Sequence, residues 1–189
     1  MKIIGVAHIG SQDPGFPADS LILKGDSALL VNRKPFFVPD ETDEPVAYPA
    51  LALRISRLGK QIAPRFASRY YDGLAPAMDI QAADLRAQAI ASGKPWTQAV
   101  SLDGSFPLGQ WQTRQESTTV TMQTGSQTYQ VTEEQIAETV SLVSRYMTIR
   151  QGDIIYLQLT DQPLALKQND CLTACLNGDE QDSLFCRIK

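Results

Sequence analysis

Residues 54–84 read RISRLGKQIAPRFASRYYDGLAPAMDIQAAD and join a strand-like run to a helical one. The preceding letters, ALALRIS at 50–56, have the apolar composition of a β-strand, and Pro49, which lacks an amide proton, is expected at its start or on an edge. Residues 57–73 are polar, with breaks at Pro64 and Gly73. QAADLRAQAIAS at 81–92 is rich in good helix formers and is followed by Gly93. A strand, a polar connection and a helix are therefore predicted.

The remaining pattern favours strands over helices. SALLV at 27–31 and PFFV at 35–38 predict a hairpin, and TTVTMQTGSQTYQV at 118–131 predicts another, around Gly125. A second helix is predicted for EEQIAETVSLVSRYM, where Thr132 and Gln135 are spaced for a capping box. Further strands are predicted for KIIGVA, DIIYLQL, CLTACL and SLFCRI. We expect one β-rich α+β domain over residues 1–189, with two or three helices at its rim.

Composition excludes some classes of function. The chain of 189 residues is 43% hydrophobic and 20% charged, with a net charge of −4, which is ordinary for a soluble globular protein. An acidic balance argues against nucleic acid as a partner. No apolar run approaches the roughly 20 residues that cross a bilayer, and the first apolar stretch is short for a signal peptide. We expect no membrane partner and a cytoplasmic location.

The three cysteines, Cys171, Cys175 and Cys186, do not form a CxxC motif. They predict buried thiols, with Cys171 and Cys175 on one face of a strand. Their role is not indicated by the sequence.

Titratable residues offer few catalytic arrangements. His8 is the sole histidine, so a triad or a two-histidine metal site cannot be built, and a packed imidazole is expected. Four aspartates near predicted element ends could converge on a hard cation: Asp72, Asp79, Asp84 and Asp103. Simpler roles are open for three of them. Asp79 could interact favourably with the N-terminus of the following helix, and Asp84 lies within that helix. Asp103 begins an ordinary turn.

Several segments resemble one family in order. They are KGDSALLVNRKPFFVPD, RISRLGKQIAPRFASRYYDG, SGKPW, LDGSFPLGQW and QGDIIY. They are similar to the fumarylacetoacetate hydrolase family, in particular its short bacterial single-domain members, and the similarity runs almost end to end. The resemblance implies a mixed, barrel-like sheet, a homodimer, and activity on acylpyruvate-like 2-oxo acids, commonly with Mg²⁺ or Mn²⁺.

The family's metal ligands are a Glu-x-Glu pair on a strand and an aspartate before an Ala-Arg-Asp run. By resemblance Asp79 falls on the aspartate, whereas Tyr48 and Ala50 fall on the two glutamates. A single carboxylate is a poor match for a hard dication. We therefore expect no metal cofactor.

Other family positions are also substituted. The family's active-site lysine falls on Val100 and its arginine on Ala83, while its Thr-Gly-Thr-Pro turn falls on residues 157–160, LQLT. A catalytic histidine of the family falls nearest to Asp13 by register. These substitutions predict a largely apolar ligand pocket lined by Tyr48, Ala50, Asp79, Val100, Leu157 and Leu159.

Two functional hypotheses follow. The first is a non-catalytic homodimer that serves either a structural role or the binding of a small oxo acid or an apolar ligand, so that enzymatic activity is not expected. The alternative is an active hydrolase, decarboxylase or isomerase, dependent on Mg²⁺ or Mn²⁺, whose rebuilt site uses Asp79, Asp103, Asp13 or Lys24. Lys24 matches a family lysine, although a solvated lysine at a strand end is the favoured interpretation. A third possibility is that the acidic run 40–44 binds a basic protein.

Overall fold

The computed structural model describes residues 1–7, 20–31, 33–113 and 119–189. Its strands are β1 (Ile3–Val6), β2 (Leu21–Lys24), β3 (Leu29–Leu30), β4 (Pro45–Ile55), β5 (Tyr71–Ala82), β6 (Phe106–Pro107), β7 (Gln112–Thr113), β8 (Thr119–Thr124), β9 (Gln127–Thr132), β10 (Ile154–Gln158), β11 (Leu164–Ala165), β12 (Cys171–Leu176) and β13 (Asp179–Arg187). The α-helices are α1 (Ala83–Ala91), α2 (Thr97–Val100) and α3 (Glu133–Tyr146), and short 3₁₀ segments cover Asp26–Ala28 and Pro64–Arg69.

A seven-stranded mixed sheet carries the candidate site. Its order is β2-β1-β10-β4-β5-β7, and β11 pairs with β4. The β1–β10 pair is parallel, whereas β4 is antiparallel to both β5 and β10. A second sheet has the order β13-β12-β8-β9, and β3 pairs with β6. The prediction of a β-rich α+β fold with a mixed sheet is confirmed.

The large sheet separates two cores, because successive side chains of a strand point to opposite faces. One face of β4 and β5 places Leu51, Leu53, Met78 and Ile80 in the larger core, which includes residues of α3. The other face carries small side chains, Ala50, Ala52, Ala75 and Ala77, packed with Phe106 and Tyr156. These alanines leave room for longer polar side chains from neighbouring strands.

Two local predictions are confirmed. Strands β8 and β9 form a hairpin in which Thr124 pairs with Gln127. Helix α3 begins with the predicted capping box, in which Thr132 Oγ1 accepts from Gln135 N at 3.2 Å and Gln135 Oε1 accepts from Thr132 N at 2.9 Å. Gly93 follows α1 with a φ of 65°, as expected for a left-handed cap.

The predicted hairpin at 27–38 is wrong. Leu29 and Leu30 of β3 pair in parallel with β6, and Phe36 forms a bridge with Ile188 near the end of the chain. Each apolar run finds a different distant partner, so the local turn pattern is overridden by tertiary pairing.

Two further predictions need correction. Asp79 does not lie next to the first turn of a helix but inside β5, because α1 begins only at Ala83. Of the cysteines only Cys186 is buried, whereas Cys171 is exposed and Cys175 is half-buried. The alternation of β12 explains this, because Cys171 and Cys175 share the face opposite to buried Leu172 and Leu176.

Within the described residues, no helix combines the length and hydropathy needed to cross a bilayer. The cytoplasmic location stays a prediction.

The start of the β1–β10 pair is held by Asp153. Its carboxylate accepts from Lys2 N and Arg150 N, each at 2.9 Å, and from Lys2 Nζ at 2.6 Å. Burial acts to raise the pKa of Asp153, but the hydrogen bonds and charge from Lys2 and the Arg150 amide outweigh it, so the pKa is lowered. A lowered folded-state pKa contributes stability above the unfolded-state value and loses it in more acidic solution.

We predict that Asp153→Asn lowers the free energy of unfolding by about 1–3 kcal/mol near neutral pH, because a buried charged acceptor is lost from three partly buried hydrogen bonds. The difference from the wild type should shrink as the pH falls below about 4. Urea unfolding at a series of pH values measures both effects. A difference that stays constant from neutral to acidic pH would contradict the assignment.

Gly5 is required by a close contact with Tyr156. A Cβ at this position would overlap the Tyr156 ring, which lies against the β1 backbone. We predict that Gly5→Ala lowers the free energy of unfolding by roughly 1–3 kcal/mol through overpacking. The matched control is Gly25→Ala, where the added Cβ would meet its nearest atom, Ser27 Oγ, at an ordinary 3.7 Å. Equal losses in the two variants would refute the steric explanation.

Candidate active site

A buried ion pair lies on the alanine-rich face of the large sheet. Lys24 Nζ is 2.9 Å from Asp79 Oδ1, and both side chains are 0% exposed. The interpretation of Lys24 as a solvated lysine is therefore wrong. In the sheet order β2 and β5 are four steps apart, which is about 19 Å across a flat sheet. A contact between their side chains therefore requires the sheet to curl strongly.

The ammonium of Lys24 is fully engaged. It donates to Ile80 O and to Ser105 Oγ, each at 2.9 Å, and also to Val100 O. These acceptors use its three protons. Asp79 Oδ1 accordingly accepts no directed hydrogen bond within the described part of the chain, and the ammonium charge compensates it.

The second oxygen of Asp79 is bound by three neutral donors. Oδ2 accepts from Tyr156 OH at 2.9 Å and from the Nε2 atoms of Gln81 and Gln158, each at 2.8 Å. Tyr156 and Gln158 lie on β10, and Gln81 lies two residues after Asp79 on the same face of β5. Both oxygens of the carboxylate are thus committed to protein groups.

Burial determines the protonation of the surrounding groups. It lowers the pKa of Lys24, against the opposing effect of the neighbouring Asp79 charge. Burial also raises the pKa of Tyr156 well above its ordinary value, and the neighbouring Asp79 charge acts in the same direction. The phenol of Tyr156 therefore remains a hydrogen-bond donor at physiological pH.

The two substituted glutamate positions flank this pair. Tyr48 on β4 is the register partner of Asp79, and Ala50 is the register partner of both Ala77 and Gln158. Because Ala50 is small, Gln158 can pass it to reach Asp79. The space that would hold a second acidic side chain is used by an amide.

Arg86 was not anticipated from the sequence. Its Nη1 donates to Gln81 Oε1 at 3.2 Å, and its guanidinium lies 5.9 Å from the centre of the Tyr48 ring. Arg86 is three residues after Ala83, the position of the family's arginine, and residues at this spacing share a helix face. The three-residue spacing from Ala83 could have identified Arg86 from the sequence. Through Gln81, this half-buried cation is connected to the buried carboxylate.

The remaining predicted pocket residues lie in separate places. Val100 contributes its carbonyl, while its side chain packs with Ala82 and Ala99. Leu157 faces the larger core, Leu159 packs against that core, and both line a cavity of about 230 Å³ at the end of β10. Gln158 also lines this cavity. The assignment of these residues to a ligand pocket stays a prediction.

Asp103 does not join the cluster in any described contact. It is exposed and lines a different cavity, of about 560 Å³, with apolar neighbours that include Leu30 and Phe36. Asp84 is also used elsewhere, because it accepts from Thr42 Oγ1 at 2.6 Å. Asp72 pairs with Arg54 at the surface. His8 and Asp13 lie outside the described residues.

The described donors do not fit a divalent metal. Oδ2 of Asp79 already accepts three hydrogen bonds, and Oδ1 faces an ammonium at 2.9 Å. A dication about 4 Å from that ammonium would be repelled by roughly 8 kcal/mol at an effective dielectric constant of about 20. The described ranges also contain no group of three or more His, Cys, Asp or Glu side chains placed to hold an ion.

Comparison with known proteins identifies the family. Residues 6–178 match the family model described as fumarylacetoacetate (FAA) hydrolase, C-terminal. The chain belongs to the fumarylacetoacetate hydrolase family. The resemblance inferred from the sequence motifs is confirmed.

Relatives within this family have named activities. The oxaloacetate tautomerase YcgM of Escherichia coli K12 is 24% identical over 184 residues, which cover 92% of this chain and 83% of that protein. The mitochondrial oxaloacetate tautomerase FAHD1 of Arabidopsis thaliana is 27% identical over 183 residues, covering 91% and 82%. A crystal structure of fumarylpyruvate hydrolase from Pseudomonas aeruginosa, with Mn²⁺ and pyruvate, superposes with a TM-score of 0.84 at 20% identity, covering 100% of this chain and 89% of that one.

The expectation of a protein without enzymatic activity is contradicted by these comparisons. Relatives that align with most of the chain are named as tautomerases, and structures with the same fold are named as a hydrolase and isomerases. Divalent metal is used within the family, since the Pseudomonas structure holds Mn²⁺. The expected absence of a metal from this chain stays a prediction.

The ion pair predicts a specific pattern of stability. Asp79→Asn should lower the free energy of unfolding by about 3–5 kcal/mol, because it leaves a buried ammonium without its counter-ion. Combining it with Lys24→Met should recover much of that loss, because no uncompensated charge then remains. Denaturant unfolding of the two single variants and the double variant measures the coupling.

The matched control is Asp72→Asn on the same strand, where the Arg54–Asp72 pair is 2.7 Å long but both side chains are exposed, 42% and 53%. Its loss should stay below about 1 kcal/mol. Purely additive losses from Lys24→Met and Asp79→Asn would contradict a coupled pair.

Proposed function

We propose that this protein is an isomerase that interconverts the keto and enol forms of a small 2-oxo dicarboxylic acid of the oxaloacetate type. The observation that carries the proposal is the fully buried Lys24–Asp79 pair at the position of the family's metal-binding aspartate, with three neutral donors to Asp79. The names of its relatives support the same class of reaction.

Keto–enol exchange requires modest chemistry. One proton moves between carbon and oxygen, and negative charge develops on the oxygen. A fixed positive charge that is oriented before the substrate arrives stabilises such a charge most effectively. Lys24 can act on that oxygen only through space, because Ile80 O, Val100 O and Ser105 Oγ hold its three protons in a fixed orientation.

Other residues can recognise the carboxylates of the substrate. Arg86 is a half-buried cation beside Tyr48, and a guanidinium binds a carboxylate through two parallel hydrogen bonds. The cavity at the end of β10 adjoins Gln158, a direct partner of Asp79. At about 230 Å³ it is smaller than the pockets of roughly 300–1,000 Å³ that hold drug-sized ligands. A small acid is the appropriate class of ligand.

Isomerisation fits these groups better than hydrolysis. Hydrolysis of a carbon–carbon bond needs a water molecule activated by a base or a metal. The carboxylate of the described cluster has both oxygens engaged by Lys24, Tyr156, Gln81 and Gln158. Isomerisation also needs a base to take the C–H proton and an acid to protonate the oxygen, but it does not add water to the substrate.

We further propose a homodimer, on the strength of the family resemblance alone. Sedimentation equilibrium of the purified chain tests this proposal, and a 20.8 kDa species at working concentrations would refute it.

Spectrophotometric conversion of enol-oxaloacetate to its keto form tests the proposed activity. We predict that Lys24→Met reduces kcat/KM about 10–100-fold, less than the loss of a direct oxyanion donor, because Lys24 acts through space and by holding Asp79 in place. Arg86→Gln should act mainly by raising KM. The matched control is Arg65→Gln, since Arg65 lies over the Phe66 ring at 4.8 Å in a comparable stack outside the site.

The same preparations should be assayed for cleavage of acylpyruvates and decarboxylation of oxaloacetate. If the protein catalyses cleavage or decarboxylation but not tautomerisation, that reaction and not isomerisation is its activity. No turnover in any assay by a folded wild-type protein would overturn the proposal.

A further inference from the structure

We infer that Lys24 is a built-in cation that neutralises Asp79 by itself, so that this site operates without a divalent metal. The inference that catalysis proceeds without a metal rests on the function proposed above. The inference that Lys24 neutralises Asp79 does not rest on it.

The surroundings of Lys24 Nζ form a cation site. Four oxygens point at this nitrogen: Asp79 Oδ1, Ile80 O and Ser105 Oγ, each at 2.9 Å, together with Val100 O. They come from β5, the end of α2 and the residue before β6. A carboxylate, two carbonyls and a hydroxyl are the kinds of ligand that hard cations take from proteins.

The geometry of Asp79 leaves one position for a cation. Three donors fill Oδ2, so a metal bound by Asp79 would have to approach Oδ1. Lys24 Nζ occupies that approach. An inorganic ion and this ammonium therefore compete for the same oxygen.

Charge balance explains the substitutions at positions 48 and 50. A dication requires several anionic ligands, whereas an ammonium is neutralised by one carboxylate. With Tyr48 and Ala50 in place of two glutamates, the described cluster contains one buried cation and one buried anion. Restoring a metal without the acids would leave excess positive charge in a site that excludes water.

The wild-type protein provides the first test. Titration with MnCl₂ and MgCl₂ in a calorimeter should give no binding at millimolar concentrations, and EDTA should change the tautomerase rate by less than twofold. Stoichiometric Mn²⁺ binding that Asp79→Asn abolishes would overturn the inference. Loss of activity in EDTA with recovery on adding Mn²⁺ would overturn it as well.

Chemical rescue provides the second test. Lys24→Ala removes the side chain beyond Cβ and leaves the four oxygens without a cation. We expect added propylammonium to raise its melting temperature and restore turnover in a saturable manner, with tetramethylammonium ineffective because it cannot donate hydrogen bonds. The control is Lys2→Ala, whose lost amine faces Asp153 at a partly exposed site and should not be rescued.

The outcomes separate the two proposals. If propylammonium restores the melting temperature of Lys24→Ala but the wild type shows no turnover, the built-in cation is supported and the isomerase proposal is refuted. If the wild type catalyses tautomerisation only with a divalent metal, the isomerase proposal is supported and the built-in cation is refuted. Rescue of Lys24→Ala by Mn²⁺ but not by propylammonium would also refute the built-in cation. If Lys24→Ala does not fold, the calorimetry and EDTA results on the wild type decide alone.

Discussion

The constraint on which the site depends is that a carboxylate without water must be fully compensated by protein groups. Asp79 is completely buried, and an isolated charge in such surroundings is strongly unfavourable. Its four partners meet that requirement with one ammonium, one phenol and two amides. Each partner is therefore fixed in position by the same anion, which produces a rigid polar cluster inside an apolar protein.

The fold meets this requirement through curvature and small side chains. The alanines of β4 and β5 keep one face of the sheet open to longer residues, and Gly5 allows the Tyr156 ring to lie flat against β1. Curling of the sheet brings the end of β2 to the face of β5. Without these features the lysine and the tyrosine would be on the correct strands but beyond reach of the carboxylate.

The sequence predicted much of the frame and less of the site. Helix α3, the β8–β9 hairpin and strand β4 follow from local periodicity, and Asp79 was placed by an ungapped match to the family. The partners of Asp79 are far away in the chain, with Lys24 55 residues before it and Tyr156 77 residues after it. No local pattern encodes such contacts. The substituted family positions indicated an apolar interior. Tyr156 and Gln158 lie in segments that were compared, but nothing in the sequence showed that their side chains reach Asp79.

The pairing of Ala50 with Gln158 has a consequence for which substitutions the protein tolerates. A single change of Ala50 to glutamate would add a second acid beside Asp79, where Gln158 already takes the room and Lys24 supplies only one positive charge. The effect of an acid at position 50 therefore depends on the residues at positions 24 and 158, and the three positions are coupled by epistasis.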